Sequence, residues 1–383
     1  MNMRRAAAIA AGLCLCAGML RADPSVIFPR ERPAVWSGDR PITYFVSALD
    51  FGEGARPTRI PNVNVRTALT DALAGWQSIS DAHLPQIVAG AIEDAPELII
   101  KKESDFDALS TKVANRSIFL VYDGKDVLKN QPKDRSGHVL GVTSLNFDGQ
   151  GIGVAVITIT KYGAEKLSIL RETLVHETGH ALGLGHALIS HNGELRLGRY
   201  RDRWGAMFPF KLGSILPNDE AWLAYLYRDT NSSSVHGVIK GILRDRNGVN
   251  SLTGVNLIAI AVDPASGPNA QEASTDRRFS CLSGYSDVQG AYLIPVVPGR
   301  YRLVAESLPD PQFVPDLPPF YDKTGARVGP RVERADHKRY RITPSKTTVS
   351  QQPVQIVING RSSDEVTIVA GETVVANLRL SKN

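Results

Sequence analysis

Hydrophobic and polar residues are arranged along the first half of the chain in patterns that predict strands and helices in alternation. Pro41–Val46, Glu97–Lys101 and Ser117–Tyr122 contain short apolar runs that are typical of buried strands. After Asn62, apolar residues recur every three or four positions, which predicts a helix that Asn62 could cap. The residues expected on the buried face of this helix are Val65, Ala68, Leu69, Ala72, Leu73 and Trp76.

A β-branched segment and two more helices complete this half. Gly151–Thr160 predicts a strand, and Leu167–Leu184 predicts the helix that follows it. A last helix is expected after Leu216, where Asn218 or Asp219 could cap its first turn. The expected core contacts are Leu170, Leu174 and Ala181 in the first of these helices, and Leu223, Leu226 and Tyr227 in the second.

The residues after 235 have the all-β pattern of a separate domain. Asn231–Ser234 is polar and predicts a linker over residues 231–235. Because this linker holds little apolar material, we expect residues 236–383 to fold independently as a β-sandwich. The expected strands, separated by Gly, Asn and Pro, are His236–Leu243, Val255–Val262, Tyr292–Val297, Arg300–Glu306, Val354–Ile358 and Val366–Leu380.

The N-terminus has the features of a secretory signal peptide. Arg4 and Arg5 precede the apolar run Ala6–Leu20, which is too short for a membrane span, and Leu20–Ala22 could end a cleavage site. We therefore expect residues 1–22 to be a leader and the protein to be secreted, either into the periplasm or outside the cell. No other apolar segment reaches membrane-spanning length, so no membrane span is expected.

Charge and cysteine content narrow the class of protein further. The formal net charge is +5, and it falls to about +2 without the three arginines of the leader, so nucleic-acid binding has no electrostatic basis. Cys14 and Cys16 fall in the leader, which leaves Cys281 alone and excludes an internal disulfide. A chain of this length buries a sufficient core without one, and we expect a monomer.

The strongest chemical signal is His-Glu-Thr-Gly-His-Ala-Leu-Gly-Leu-Gly-His at residues 176–186. His176 and His180 are four residues apart, so on a helix they lie on one face and can bind one metal ion. Gly183 can take the positive φ of a sharp helix exit, and His186 can then fold back as a third ligand. Three neutral imidazoles with one open position form the ligand set of a catalytic zinc site. An ordinary helix with solvated histidines would explain neither the glycine nor the third histidine.

This motif resembles that of the metzincin metalloproteases, and the residues beyond it extend the resemblance. Met207, the only methionine outside the leader, lies in Gly205–Pro209, which is similar to the Met-turn of the matrixins with Phe208 in place of Tyr. Leu216–Tyr227 resembles the matrixin C-terminal helix. The resemblance covers roughly residues 35–230 and implies an α+β metzincin domain, with a mixed sheet and three helices, within residues 23–230.

The resemblance implies a secreted zinc endopeptidase that acts on a protein or peptide substrate. It assigns one catalytic zinc to His176, His180 and His186, places Met207 beneath the metal, and makes Glu177 the general base toward the attacking water. A secreted binding or adhesion protein with a catalytically silent peptidase-like domain is the alternative. The presence of Glu177 argues against it, because a silent domain has no chemical need for the base.

Other features of this half leave alternatives open. Asp123, Asp126 and Asp148 could bind calcium, but solvated turn carboxylates are favoured because no matrixin calcium loop is recognisable nearby. The four arginines of Gly193–Arg203 would either select acidic substrate residues just past the cleaved bond or only solvate a surface loop. Gly151–Thr160 is the expected edge strand onto which an extended substrate pairs.

The C-terminal segment resembles the carboxypeptidase-regulatory-like and Cna-B-like sandwiches. Gly290–Pro295 and Pro298–Leu303 share the G-x-Y and P-G-x-Y strands of those domains. The resemblance includes the option of an isopeptide bond between Lys240 and Asn377, assisted by Glu306. Three ordinary surface polar side chains are the favoured alternative, because such residues are common on strand exteriors.

Overall fold

Three helices, two large sheets and two sheets of two strands each are found in the part of the chain that the computed structural model describes. That part comprises residues 20–23, 26–29, 34–46, 51, 59–90, 116–123, 139–147, 151–187, 205–207, 213–228, 235–252, 255–262, 278–282, 290–307, 320–321, 327–328 and 351–380. The elements of the N-terminal half are β1 (Leu20–Asp23), β2 (Val26–Pro29), β3 (Ile42–Val46), α1 (Asn62–Gln77), β4 (Ile87–Ala89), β5 (Ser117–Asp123), β6 (Gly141–Phe147), β7 (Ile152–Thr160), α2 (Leu167–Ala181) and α3 (Pro217–Leu226). The predicted order, a mixed α/β half followed by an all-β half, is confirmed over the residues described.

A five-stranded mixed sheet forms the centre of the N-terminal half, in the order β4-β3-β5-β7-β6. Strands β3, β4, β5 and β7 are parallel, whereas β6 runs antiparallel to β7. The apolar runs correctly predict β3, β5 and β7. They miss β4, which has only three residues, and β6, which is only partly buried and carries no continuous apolar run. The expected strand Glu97–Lys101 lies outside the described residues.

The strand at the edge of this sheet beyond β7 is β6, whereas the segment Gly151–Thr160 was expected to be the edge strand. That segment forms β7, which pairs with β5 on one side and with β6 on the other. Every residue of β7 is buried, so its β-branched composition reflects a central strand covered on both faces. The prediction of a substrate-pairing edge at β7 is therefore wrong, and among the described strands β6 lies at that edge.

Helix α1 packs against α2 and buries the face that its periodicity predicts. The predicted cap is wrong, because Pro61 precedes the helix and Asn62 already lies in its first turn. The side-chain oxygen of Asn62 instead accepts a hydrogen bond from Nε of Arg66 at 2.7 Å. The buried residues of α1 are Val65, Ala68, Leu69, Ala72, Leu73 and Trp76.

Helix α3 begins at Pro217, and its first turn is held by Asp219. Oδ2 of Asp219 accepts a hydrogen bond from the N–H of Leu216 at 3.0 Å. Asn218 does not cap the helix, because its side-chain oxygen accepts the N–H of Ser280, from the C-terminal half, at 3.0 Å. The predicted apolar stripe is confirmed, with Leu223 and Tyr227 buried and Leu226 half-buried.

The C-terminal half contains strands only, in the residues described. Ten of them form one sheet in the order β10-β9-β12-β15-β19-β8-β11, with β16 on β15, β17 on β12 and β18 on β8. The sequence misses β10 and predicts Val366–Leu380 as one strand, whereas Gly371 turns the chain there with a φ of 73°. The strands are β8 (Gly237–Arg244), β9 (Val255–Ala261), β10 (Arg278–Leu282), β11 (Ala291–Val296), β12 (Gly299–Ser307), β13 (Phe320–Tyr321), β14 (Arg327–Val328), β15 (Gln351–Ile358), β16 (Arg361–Ser363), β17 (Val366–Ile368), β18 (Thr373–Val375) and β19 (Asn377–Leu380).

The two halves are joined by direct packing of α3 on the C-terminal sheet. Nε1 of Trp222 donates a hydrogen bond to the carbonyl of Ser280 at 3.0 Å, and Trp222 is 2% exposed. A second contact places Nδ1 of His236 2.9 Å from Oδ2 of Asp81, in the turn after α1. The buried apolar residues of both halves form one continuous cluster. This packing argues against the independently folding sandwich that the predicted linker, which lies outside the described residues over 231–234, led us to expect.

Two of the three residues considered for an isopeptide bond lie at the surface. Lys240 and Asn377 are both exposed. The side-chain oxygen of Asn377 accepts a hydrogen bond from the N–H of Ile242 at 3.1 Å. Glu306 lies opposite Asn256 in the pairing of β12 with β9. The favoured interpretation, ordinary polar residues on strand exteriors, agrees with these positions.

The leader prediction falls mostly outside the described residues, which begin at Leu20. Leu20–Asp23 forms β1 and pairs with β2 in an antiparallel sheet of two strands. Among the helices described, none is both long and apolar enough to cross a membrane.

Candidate metal centre

Three histidine side chains converge at the C-terminal end of helix α2. His176 and His180 lie one turn apart on the helix, which ends at Ala181, and His186 follows a tight turn. The Nε2 atom of His180 is 3.1 Å from that of each of the other two, and the remaining pair is 3.2 Å apart. The three predicted ligands thus form a cluster that could bind a metal ion.

Gly183 makes the turn that brings the third histidine back. Its φ is 92°, in the left-handed region that favours glycine. A Cβ at this position would lie 1.9 Å from the carbonyl oxygen of Ala34, so the close passage of the N-terminal segment also requires glycine. The N–H of Leu184 bonds to the carbonyl of Gly179 at 3.0 Å, which closes the helix end. The role predicted for Gly183 agrees with this geometry.

Backbone carbonyls orient two of the imidazole rings. Nδ1 of His176 donates to the carbonyl of Ala206 at 2.6 Å, and Nδ1 of His180 donates to the carbonyl of Leu184 at 2.8 Å. Because a carbonyl oxygen can only accept, both Nδ1 atoms carry the proton, and the Nε2 atom of each neutral ring presents a lone pair. Lone pairs this close repel one another unless a cation lies between them.

Burial disfavours the charged form of His180. Desolvation lowers the pKa of His180 well below its usual 6.5, and positive charge on His176 or His186 would lower that pKa further. The hydrogen bond to Leu184 opposes this effect but is smaller. A neutral imidazole is the form that coordinates metals, so the electrostatics and the geometry agree.

Met207 packs against helix α2 at the level of the histidines. It is almost fully buried, and a Cβ at Gly179 would lie 2.3 Å from its Sδ atom. Glycine at this position of the motif is therefore what allows Met207 to approach the helix. The carbonyl of Met207 also accepts the N–H of Ala187 at 2.8 Å, directly after the third histidine. The contact agrees with the predicted position of a Met-turn methionine beside the metal ligands.

Asp219 links helix α3 to His176 through the backbone of Ala206. Its Oδ2 atom accepts the N–H of Ala206 at 2.9 Å, and the carbonyl of Ala206 accepts Nδ1 of His176 at 2.6 Å. Burial raises the pKa of Asp219 from 3.8 to about 7, although hydrogen bonds from Leu216, Ala206 and Met207 oppose this rise. The carboxyl group thus fixes the segment that orients the first ligand.

Glu177, between the first two ligands, faces strand β6. Oγ1 of Thr143 donates a hydrogen bond to Oε2 of Glu177 at 2.7 Å. A Cβ at Gly141 would lie 2.8 Å from both Oε1 and Cγ of Glu177, so the strand closes around the carboxylate. Only 4% of Glu177 is exposed. The carboxylate is thus confined between α2 and β6, one residue along the chain from His176.

Of the residues considered for calcium binding and for substrate selection, the structure describes only Asp123, and it is not part of the histidine cluster. Asp123 is fully buried at the end of β5, which contradicts its interpretation as a solvated turn carboxylate. Asp126, Asp148 and the arginine-rich segment Gly193–Arg203 lie outside the described residues. The predictions for Asp126, Asp148 and Gly193–Arg203 therefore stay predictions.

The contacts that Gly179, Asp219 and Thr143 make around the histidines and Glu177 were not predicted from the sequence. Gly179 carries a readable signal, because a glycine inside a helical pattern is unfavourable unless something packs against it. Asp219 also has a signal, since it is an acid in a first helical turn, but its contact with Ala206 crosses 13 residues. No signal in the sequence indicates the contact of Thr143 with Glu177, because β6 is not recognisable as a strand.

Comparison with known proteins assigns no family to the chain. No family model and no curated protein matches it. Among solved structures it is similar to the dioxygenase domain of a dioxygenase–carbohydrate-binding fusion protein from the cellulolytic bacterium Streptomyces sp. SirexAA-E. That similarity has 14% identity and a TM-score of 0.15, and it covers 20% of this chain and 51% of the other. The chain therefore spans about half the length of that domain, and a likeness this small bears on neither fold nor function.

Proposed function

We propose that this protein is a secreted zinc endopeptidase of the metzincin type, with a matrixin-like catalytic domain. One observation carries the proposal: three imidazole Nε2 atoms lie within 3.2 Å of one another on a helix that also carries the buried Glu177. The packing of Met207 against the same helix supports the assignment to the metzincins.

The donor set fits zinc. A tetrahedral ion with Zn–N bonds of about 2.0–2.1 Å separates its nitrogen ligands by roughly 3.3–3.4 Å. The nitrogens here are 3.1 to 3.2 Å apart, so a small outward rotation of each ring accommodates the ion. His176, His180 and His186 would hold it, and three neutral ligands leave the fourth position for water or substrate. The carbonyls behind two of the rings are the supporting contacts that ligating histidines use.

Glu177 supplies the acid–base chemistry of the proposed reaction. Zinc, when bound, supplies a Lewis acid that polarises the substrate carbonyl and lowers the pKa of water. The Glu177 carboxylate accepts a proton from the attacking water and then donates it to the amine of the departing chain. Its burial beside β6 excludes competing solvent and holds the acceptor oxygen in place.

Strand β6 replaces β7 as the strand that we propose for substrate binding. β6 is the last strand of the sheet among those described, and it lies next to helix α2. An extended peptide would add to its outer edge through backbone hydrogen bonds. These bonds require an extended main chain and do not depend on the identity of the side chains. The proposed substrate is therefore an unfolded or extended stretch of polypeptide.

The proposed function is tested by separating metal binding from cleavage. Wild type, Glu177→Gln and His180→Ala are assayed for zinc content and for hydrolysis of casein and quenched-fluorescence peptides, with and without chelator. Glu177→Gln should retain zinc and lose about 10²- to 10⁴-fold in rate, and His180→Ala should lose zinc. Glu172→Gln, an exposed acid on the same helix, and His83→Ala, an exposed histidine, are the matched controls.

Each outcome distinguishes the proposal from its alternative. Cleavage that a chelator abolishes and zinc restores supports a metallopeptidase. A wild-type protein that binds zinc but cleaves none of a broad peptide library supports a secreted binding protein with a silent peptidase-like domain. Near-normal turnover by zinc-loaded Glu177→Gln contradicts the role of Glu177. Export is checked by N-terminal sequencing of the mature protein, which should begin close to Asp23.

A further inference from the structure

Two positions of strand β6 contact the carboxylate of Glu177 from one side. Gly141 and Thr143 are two residues apart, so both face helix α2. At Gly141 the strand approaches so closely that a Cβ would lie 2.8 Å from Oε1 of Glu177. At Thr143 a hydroxyl projects toward the other carboxylate oxygen.

The Thr143 hydroxyl is within hydrogen-bonding distance of two acceptors, both on Glu177. Oγ1 lies 2.7 Å from Oε2 and 3.0 Å from the backbone carbonyl of Glu177. A hydroxyl has one proton, and a bond to a charged acceptor is shorter and stronger than one to a neutral carbonyl. The shorter distance accordingly points to Oε2, and one oxygen of the carboxylate is fixed by the strand.

We propose that Thr143 is a positioning residue for Glu177: by holding Oε2 it fixes the orientation in which the carboxylate meets the attacking water. This inference rests on the proposed function. A glutamate side chain has three rotatable bonds, and a displacement of about 1 Å can cost about a hundredfold in rate. Gly141 contributes because it has no side chain: any side chain at this position would push the carboxylate of Glu177 away from Thr143.

The same strand then performs two tasks in the proposed reaction. Its outer backbone edge accepts the substrate, while its inward-facing Thr143 orients the base that acts on that substrate. Backbone pairing does not involve the Thr143 side chain. A change at this side chain should therefore affect the chemical step and leave substrate binding intact, which a general loosening of the strand would not do.

The test compares Thr143→Val, which keeps the shape and removes the hydroxyl, with Thr143→Ser, which restores the hydroxyl. Thr67→Val is the matched control, because the exposed Thr67 hydroxyl bonds only to the carbonyl of Val63. Each zinc-loaded, full-length mature protein is assayed for kcat, KM and zinc content. We expect kcat of Thr143→Val to fall about tenfold to a hundredfold with KM and zinc unchanged, and Thr143→Ser to recover most of the loss.

Crystal structures of wild type and Thr143→Val provide a readout that is independent of activity. The Glu177 carboxylate should occupy one position in wild type and should shift or become split in Thr143→Val. A carboxylate that stays within about 0.5 Å of its wild-type position in the variant overturns the proposal, as does an equal loss of kcat in Thr143→Ser. If Thr143→Val does not fold, Thr143→Ala takes its place in both measurements. If wild type cleaves nothing, the proposed function fails, and the structures alone still decide whether Thr143 positions Glu177.

Discussion

Removal of the Trp222 side chain should destabilise both halves of the protein together. Trp222 lies on helix α3, is almost fully buried, and donates through Nε1 to the carbonyl of Ser280 in β10. Replacement of a buried tryptophan by alanine costs about 3–5 kcal/mol through lost burial and the cavity that remains. The Ser280 carbonyl would lose this bond as well, and a typical hydrogen bond contributes about 0.5–1.5 kcal/mol net.

These free energies predict a measurable thermal shift. If the mature chain of about 360 residues unfolds as one unit, an unfolding entropy of about 2.1 cal/mol/K per residue makes 1 kcal/mol equivalent to about 1.3 °C, so Trp222→Ala should lower Tm by about 4–7 °C or more. Trp222→Phe keeps most of the apolar contact and loses the hydrogen bond, so its shift should be a fraction of that. Val63→Ala, at a 65% exposed position of α1, should have almost no effect. Scanning calorimetry of the full-length mature chain measures all three.

Calorimetry also tests whether the halves fold as one unit. A continuous core predicts one main transition in wild type, and Trp222→Ala should move all of it. A chain that ends at Arg228 would expose Trp222 and lose the partner of Asn218, so it should aggregate or melt well below the full chain. Two transitions in wild type, of which Trp222→Ala shifts only one, would contradict a single folding unit. A shortened chain that melts at the temperature of the full chain would contradict it as well.

Two further predictions concern the residues that support the metal ligands. Because burial raises the pKa of Asp219 from 3.8 to about 7, the folded state retains a proton that the unfolded chain releases between these values. The resulting stability is complete below pH 3.8 and is lost as the pH rises through about 7. The difference in unfolding free energy between wild type and Asp219→Asn, measured in urea, should therefore change by a few kcal/mol over that pH range. A difference that does not vary with pH would contradict the raised pKa of Asp219. Gly179→Ala should force Met207 away from α2, cost about 1–3 kcal/mol and weaken zinc retention against a competing chelator. Gly75→Ala is its control, because the nearest atom to an added Cβ is 3.4 Å away, and unchanged zinc retention in Gly179→Ala would remove Met207 from the support of the site.

The histidine cluster could be predicted from the sequence because its geometry is local. Four residues of helix bring His176 and His180 onto one face, and one glycine with a φ of 92° reverses the chain toward His186. The buried face of α1 was predictable for the same reason, since helical periodicity alone selects its six core positions. In each case the relevant distances are set by a few consecutive backbone dihedral angles.

Only the tertiary structure decided how those ligands are supported. The contacts of Thr143 with Glu177 and of Trp222 with Ser280 join residues 34 and 58 positions apart, and no local pattern specifies such pairs. The position of β6 at the sheet edge depends in the same way on strand order, which results from the burial of β7 between two neighbours. A β-branched run predicts a buried strand but does not say which strands flank it. Partner choice between distant segments is settled by the packing of the whole core, and the residues that orient Glu177 and connect the two halves are specified at that level.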